Sequence, residues 1–169
     1  SGEMRNSRLF RILFNPTFDE DIYKMHGIFK KLIVLRNLLY GLKEDFCLNG
    51  PEQGVFSCSR IHQFPKGGGF LQMHKDKDGE NISKKSNLKT FLHPLLIFDK
   101  KGEDFQTGGG MLKYKDEVVF YENELDPGDV AIYNGRTEHG VYNIDQEEIL
   151  NLDNFNGRSS VLVSLFKSP

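Results

Sequence analysis

The 169-residue sequence has no run of about 18 apolar residues, which excludes a membrane-spanning helix. It has no excess of positive charge either. Its 22 Lys and Arg stand against 24 Asp and Glu, a formal net charge of −2. A surface that neutralises phosphates needs a clear Lys/Arg excess, so nucleic acid is not an expected partner. The pairs Lys30-Lys31, Lys84-Lys85 and Lys100-Lys101 are scattered, as on solvated faces. Cysteine is scarce. Cys47 and Cys58 fall in neither a CxxC nor a Cys/His zinc spacing, so two reduced thiols in a cytoplasmic protein are expected. Ser1-Gly2-Glu3-Met4-Arg5 lacks the apolar segment of a secretory leader, and there is no internal repeat.

What is present suits a folded domain. Hydrophobic residues make up 38% and charged residues 27%, enough apolar material for a core and too evenly mixed for a disordered chain. One domain over 1–169 is expected, with a helical region at about 1–50 and a β core over 51–169. Asp19-Glu20-Asp21 places acids where a helix dipole favours them. Ile22, Met25, Ile28, Phe29, Leu32, Leu35, Leu39 and Leu42 then recur at three- and four-residue steps, one face for burial, with Lys30, Lys31 and Arg36 mostly off it.

After Asn49-Gly50-Pro51 the pattern changes to short strands broken by turn residues. Strands are expected near Val55-Phe64, Phe70-Asp76, Thr90-Phe98, Gly110-Tyr114, Val118-Tyr121, Asp129-Tyr133, Gly140-Asn143 and Ser159-Phe166. Such a series implies a sandwich, jelly roll or barrel, and the long helix is expected on the outside of one sheet. Gly67-Gly68-Gly69 and Gly108-Gly109-Gly110 are not followed by Lys-Ser/Thr or a helix pattern. They are expected as tight turns and close backbone approaches, not phosphate loops.

The chemistry is concentrated around Gln72-Met73-His74-Lys75-Asp76. On a strand, residues i and i+2 share a side, so His74 and Asp76 offer an imidazole and a carboxylate to one interior. The pair alone is a weak signal. His139, 65 residues on, follows the turn Asp126-Pro127-Gly128-Asp129 and the strand to Tyr133, and offers a third ligand. Two His and one carboxylate on one face are the arrangement of non-haem Fe(II) oxygenases, whereas a closed structural zinc site wants four ligands, usually with Cys. Asp78 is the nearest alternative acid but sits in a turn. In the last strand Arg158 and Ser160 share a face. A guanidinium in a β core needs an anion, and a ligand carboxylate is a natural partner where the strand itself has no acid.

His74-x-Asp76, His139 and Arg158-x-Ser160 before a hydrophobic final strand resemble the 2-oxoglutarate/Fe(II) dioxygenase superfamily over about Val55 to Phe166. Phe64-Pro65-Lys66-Gly67 looks like the Tyr-Pro-x-Gly entry of prolyl-hydroxylase-like members. Thr107-Gly108-Gly109-Gly110-Met111-Leu112 resembles their Gly-Gly-x-Leu segment, and Leu125 to Tyr133 their Pro-x-x-Gly strand. The resemblance implies a mainly β fold with packed helices: a double-stranded β-helix, the cupin-like jelly roll. It implies Fe(II) on His74, Asp76 and His139, with 2-oxoglutarate and O2 as co-substrates. Arg158 and Ser160 would hold the far carboxylate of 2-oxoglutarate. An acid at Asp76 looks like a hydroxylase, since halogenating relatives carry Gly or Ala there.

The departures bear on substrate. Phe64 replaces the usual Tyr, Ile97 stands where prolyl hydroxylases tend to place a Tyr, and a long acidic piece from about Asp145 to Asn156 is expected as a flap beside the site. Strand parity adds Phe70 and Gln72 to the pocket, and the resemblance implies Phe64 and, by the family's register, His93 there as well, while His26 and His62 are read as structural and Lys77-Lys89 as a loop over the mouth. The expected substrate is a small molecule such as an amino acid or natural-product intermediate, with a peptidyl side chain second. A non-catalytic cupin-like metal- or ligand-binding module and a zinc hydrolase remain as rival readings.

Overall fold

A computed structural model of the protein describes residues 6–8, 11–76 and 92–168. Two strands open the chain, β1 (Ser7–Arg8) and β2 (Arg11–Phe14), followed by helix α1 (His26–Tyr40). The core strands are β3 (Val55–Pro65), β4 (Gly69–His74), β5 (Leu92–Ile97), β6 (Gly109–Tyr114), β7 (Glu117–Phe120), β8 (Val130–Asn134), β9 (His139–Ile144) and β10 (Gly157–Lys167), with a 3₁₀ turn at Tyr121–Asn123 between β7 and β8. All eight core strands expected from the sequence are present.

The strands form two five-stranded antiparallel sheets: a larger one with the two longest strands, ordered β2-β3-β10-β5-β8, and a smaller one, ordered β1-β4-β9-β6-β7. Except at the β6–β7 hairpin, successive core strands step from one sheet to the other, so the chain winds as a double-stranded β-helix, the jelly roll. The winding explains how His74 and His139, 65 residues apart, become cross-strand partners at the ends of β4 and β9.

Helix α1 packs on the outside of the larger sheet. Phe29, Leu32 and Ile33 meet Val161 and Val163 of β10, whose alternate residues Arg158, Ser160, Leu162 and Ser164 lie on the opposite face of the strand. The helix begins later than Asp19-Glu20-Asp21 suggested. Asp21 stands outside it and caps it from a distance, its Oδ1 accepting from the N–H of Met25 at 2.9 Å. The buried ridge also differs. Ile22 is exposed, whereas Arg36, expected off the ridge, is fully buried. Its guanidinium donates to Asn37 Oδ1 and Ser57 Oγ, and burial pulls its pKa down to about 10. These neutral acceptors let a cation sit where the spacing calls for an apolar residue.

Two further corrections concern the ends of the core. The first 50 residues are not only helical: β1 and β2 extend the smaller and larger sheets. They are too short to show a period of their own and owe their conformation to the edges they join. The acidic segment after β9, expected as a flap beside the site, contributes no residue to the lining of the cavity. Asp145 is buried and accepts from the N–H of Gln106 and Thr107, and Arg11 holds the later part through the carbonyls of Leu152 and Asn154. The expected mouth loop, Lys77-Lys89, and Asp78 within it lie outside the described residues. No helix among the described residues is long and apolar enough to cross a membrane.

Candidate metal centre

A cavity of about 410 Å³ lies between the two sheets, within the range of small-ligand sites. His74, Asp76 and His139 all line it, each with one ligand atom within 4.8 Å of the others. Asp76 Oδ1 lies 3.6 Å from His74 Nε2, and Asp76 Oδ2 lies 3.5 Å from His139 Nε2.

Local structure aims each donor. β4 ends at His74 and β9 begins at His139, so the two rings meet with centroids 4.4 Å apart. His74 Nδ1 is 2.8 Å from the carbonyl of Gln72, and His139 Nδ1 is 2.8 Å from that of Thr137. A carbonyl can only accept, so Nδ1 carries the proton in both rings and each Nε2 keeps its lone pair for the centre. The backbone N–H of Asp76 donates to Gly135 O at 2.8 Å, which ties the acid to the turn that delivers His139.

The electrostatics suit a metal. Burial disfavours the charge of Asp76, but the hydrogen bond from His93 and the histidine rings gathered around the carboxylate outweigh it and hold the carboxyl well below the usual range. Burial lowers the pKa of His139 to about 4, so this ring is neutral at pH 7. Two imidazole nitrogens and one ionised carboxylate are a donor set for a divalent transition metal. His93, expected in the pocket, is instead the support of Asp76. Its Nε2 is 3.0 Å from Asp76 Oδ2 and its Nδ1 is 3.4 Å from Ser164 Oγ. Such a partner orients a ligating carboxylate.

Arg158 and Ser160 come together, with Arg158 Nη1 donating to Ser160 Oγ at 3.1 Å, and Phe64 lies under the guanidinium at 5.4 Å. Arg158 has no acid on its own strand, as expected, but it does have a protein acid from elsewhere in the fold. Glu122, from the 3₁₀ turn, accepts from Nε at 2.8 Å and from Nη2 at 2.5 Å, and both side chains are buried. Tyr121 OH accepts from Nη2 at 3.4 Å, so a tyrosine does stand beside this arginine although Ile97 occupies the position where one was sought. The acid lies 36 residues from Arg158 in the chain, on no shared strand.

Gln72 does not line the cavity. The register between β4 and β9 shifts between Leu71 and His74, a β-bulge that breaks the alternation. Leu71 faces the cavity, while Gln72 is exposed and accepts from the N–H of Asn6. Sequence reasoning also missed Tyr133 and Arg60. Tyr133 packs its ring 4.9 Å from that of His139, and burial raises its phenol pKa. Arg60 and His62 both line the cavity, and alternation along β3 from Phe64 was the signal that could have found them.

No protein-family model and no curated protein matches the chain. Among solved structures, it is similar to a Pseudomonas putida prolyl-4-hydroxylase, with 13% identity and a TM-score of 0.46, covering 98% of this chain and 74% of that one. It is also similar to an RmlC-like cupin protein from Desulfovibrio desulfuricans, with 14% identity and a TM-score of 0.35, covering 68% of this chain and 76% of that one. Likenesses this distant carry no argument about activity.

Proposed function

We propose that the protein is an Fe(II)- and 2-oxoglutarate-dependent oxygenase that hydroxylates a small molecule. The observation that carries this reading is the meeting of His74 Nε2, Asp76 and His139 Nε2 within 4.8 Å, with both imidazoles tautomerically set to ligate. Iron(II) held there would supply the activation of O2, coupled to oxidative decarboxylation of 2-oxoglutarate to succinate and CO2 and to oxidation of a substrate C–H bond. The chain's own part is geometry. The Gln72 and Thr137 carbonyls lock the rings, and His93 orients the carboxylate. Three ligands on one face leave positions open for exchangeable ligands. Leu71, Leu95, Val141 and Leu162 give the cavity apolar walls that keep water out. Arg158 and Ser160 are assigned to the far carboxylate of 2-oxoglutarate, sharing the guanidinium with Glu122. A peptidyl side chain is the second substrate class.

One observation favours a different reading. Because Glu122 already neutralises Arg158, a cupin-like metal-binding module with no 2-oxoglutarate accounts for that pair equally well. Anaerobic titration of the protein with Fe(II) and then 2-oxoglutarate separates the two. The oxygenase reading expects a visible iron-to-ligand charge-transfer band that His74→Ala abolishes. Iron binding without that band at saturating 2-oxoglutarate would leave only the metal-binding module.

A further inference from the structure

The cavity holds two arginines in different electrostatic states. Arg158 is paired with Glu122. Arg60, on β3, has no carboxylate within ion-pair distance among the described residues. Its Nε donates to His62 Nε2 at 2.8 Å, its Nη2 donates to Ser164 Oγ at 3.4 Å, and its guanidinium lies 5.0 Å from the centre of the Phe166 ring. Nη1 is buried and has no hydrogen-bond partner. His62 accepts at Nε2 and Ser164 is neutral, so neither supplies countercharge. In a half-buried guanidinium, a buried donor left without a partner is costly unless an anion completes it.

The surroundings say what would carry the anion. In the register of β2 on β3, Phe14 stands opposite Arg60 and Ile12 opposite His62. Both apolar side chains line the cavity, as does Phe166, and Phe14 is 52% exposed. An exposed aromatic beside an uncompensated cation suits a ligand with an acid group on an apolar body.

We propose that Arg60 is a carboxylate-binding residue of this cavity, separate from Arg158, with the ligand's apolar part lying against Ile12, Phe14 and Phe166. The identity of the ligand rests on the oxygenase reading: the carboxylate belongs either to the hydroxylated substrate or to 2-oxoglutarate.

Calorimetric titrations of the Mn(II)-supplied protein test this with three probes: 3-phenylpropanoate, its neutral amide and 2-oxoglutarate. Wild type, Arg60→Met and Arg60→Lys are compared, each checked for folding by circular dichroism. Wild type is expected to bind the acid about tenfold or more tightly than the amide, with that preference lost in Arg60→Met and partly kept in Arg60→Lys. If 2-oxoglutarate affinity is unchanged in Arg60→Met, the carboxylate is the substrate's. If it falls about tenfold, Arg60 holds the co-substrate, and the proposal stands with that ligand. Equal binding of acid and amide by wild type, together with 2-oxoglutarate affinity that neither variant alters, overturns it. An acid preference that depends on Arg60, with no 2-oxoglutarate binding in wild type, would retain Arg60 and remove the oxygenase reading.

Discussion

At the scale of single residues, the Arg158–Glu122 pair has the largest energetic leverage. Both side chains are buried, so removing the arginine strands a carboxylate that also accepts from the N–H of Gly110. Breaking a buried pair on one side costs about 3–5 kcal/mol, whereas replacing both partners is far milder. Arg158→Ala is expected to lose about that much in urea denaturation, and Arg158→Met with Glu122→Gln to recover more than half of it. A loss of 2-oxoglutarate binding in Arg158→Ala therefore does not by itself report contact with the ligand.

His62 gives a prediction with a definite sign. Burial first, then the charge of Arg60, lowers its pKa well below 6.5. The unfolded chain takes up this proton before the folded one does. The contribution of His62 to stability is complete above pH 6.5 and is lost as pH falls below it. The urea midpoint is expected to drop between about pH 7.5 and about pH 5, and to drop less in His62→Gln, which keeps an acceptor for Arg60 Nε.

At the scale of elements, the bulge in β4 positions the site. It turns Gln72 outward, brings Leu71 inward and delivers His74 opposite His139. Gly140, next to His139, makes this possible by letting β9 lie close to the bulge. A Cβ there would come within 2.7 Å of the Leu71 carbonyl and 3.0 Å of the Met73 nitrogen, both backbone atoms that cannot swing aside. Gly140→Ala is expected to cost roughly 1–3 kcal/mol, as overpacking does. It should also weaken Mn(II) binding, because β4 must shift the ring of His74. Loss of stability with unchanged metal affinity would show that the ring does not follow the strand.

At the scale of the whole molecule, the site ties the two sheets together. His74 and His139 come from the smaller sheet, while His93 of the larger sheet holds Asp76. A metal bound by this set stabilises the folded chain by mass action, about 2.7 kcal/mol at a hundredfold excess over Kd. For a chain of this size that is a rise in Tm of roughly 5–10 °C. Thermal melts with and without Mn(II) are expected to show the rise in wild type and not in Asp76→Ala. A rise of equal size in both would place the bound metal elsewhere.

Much was legible before any fold was known. Turn residues marked eight strands because Gly, Asn, Asp and Pro break a chain into short extended segments, and the helix stripe was visible because burying one face needs a period near 3.6. His74, Asp76 and His139 stood out because two of them share a strand end and few residue types can ligate a metal. What the tertiary structure alone decided depends on residues distant in the chain or on broken periodicity. The bulge overrode the alternation that put Gln72 inside. Glu122 reached Arg158 from a turn 36 residues away, and neutral acceptors drew Arg36 into the core. A local period states which way a side chain points. Whether a buried charge has a partner depends on which strands the winding sets side by side, so only the fold showed that Arg158 is answered by Glu122 while Arg60 has no carboxylate partner among the described residues.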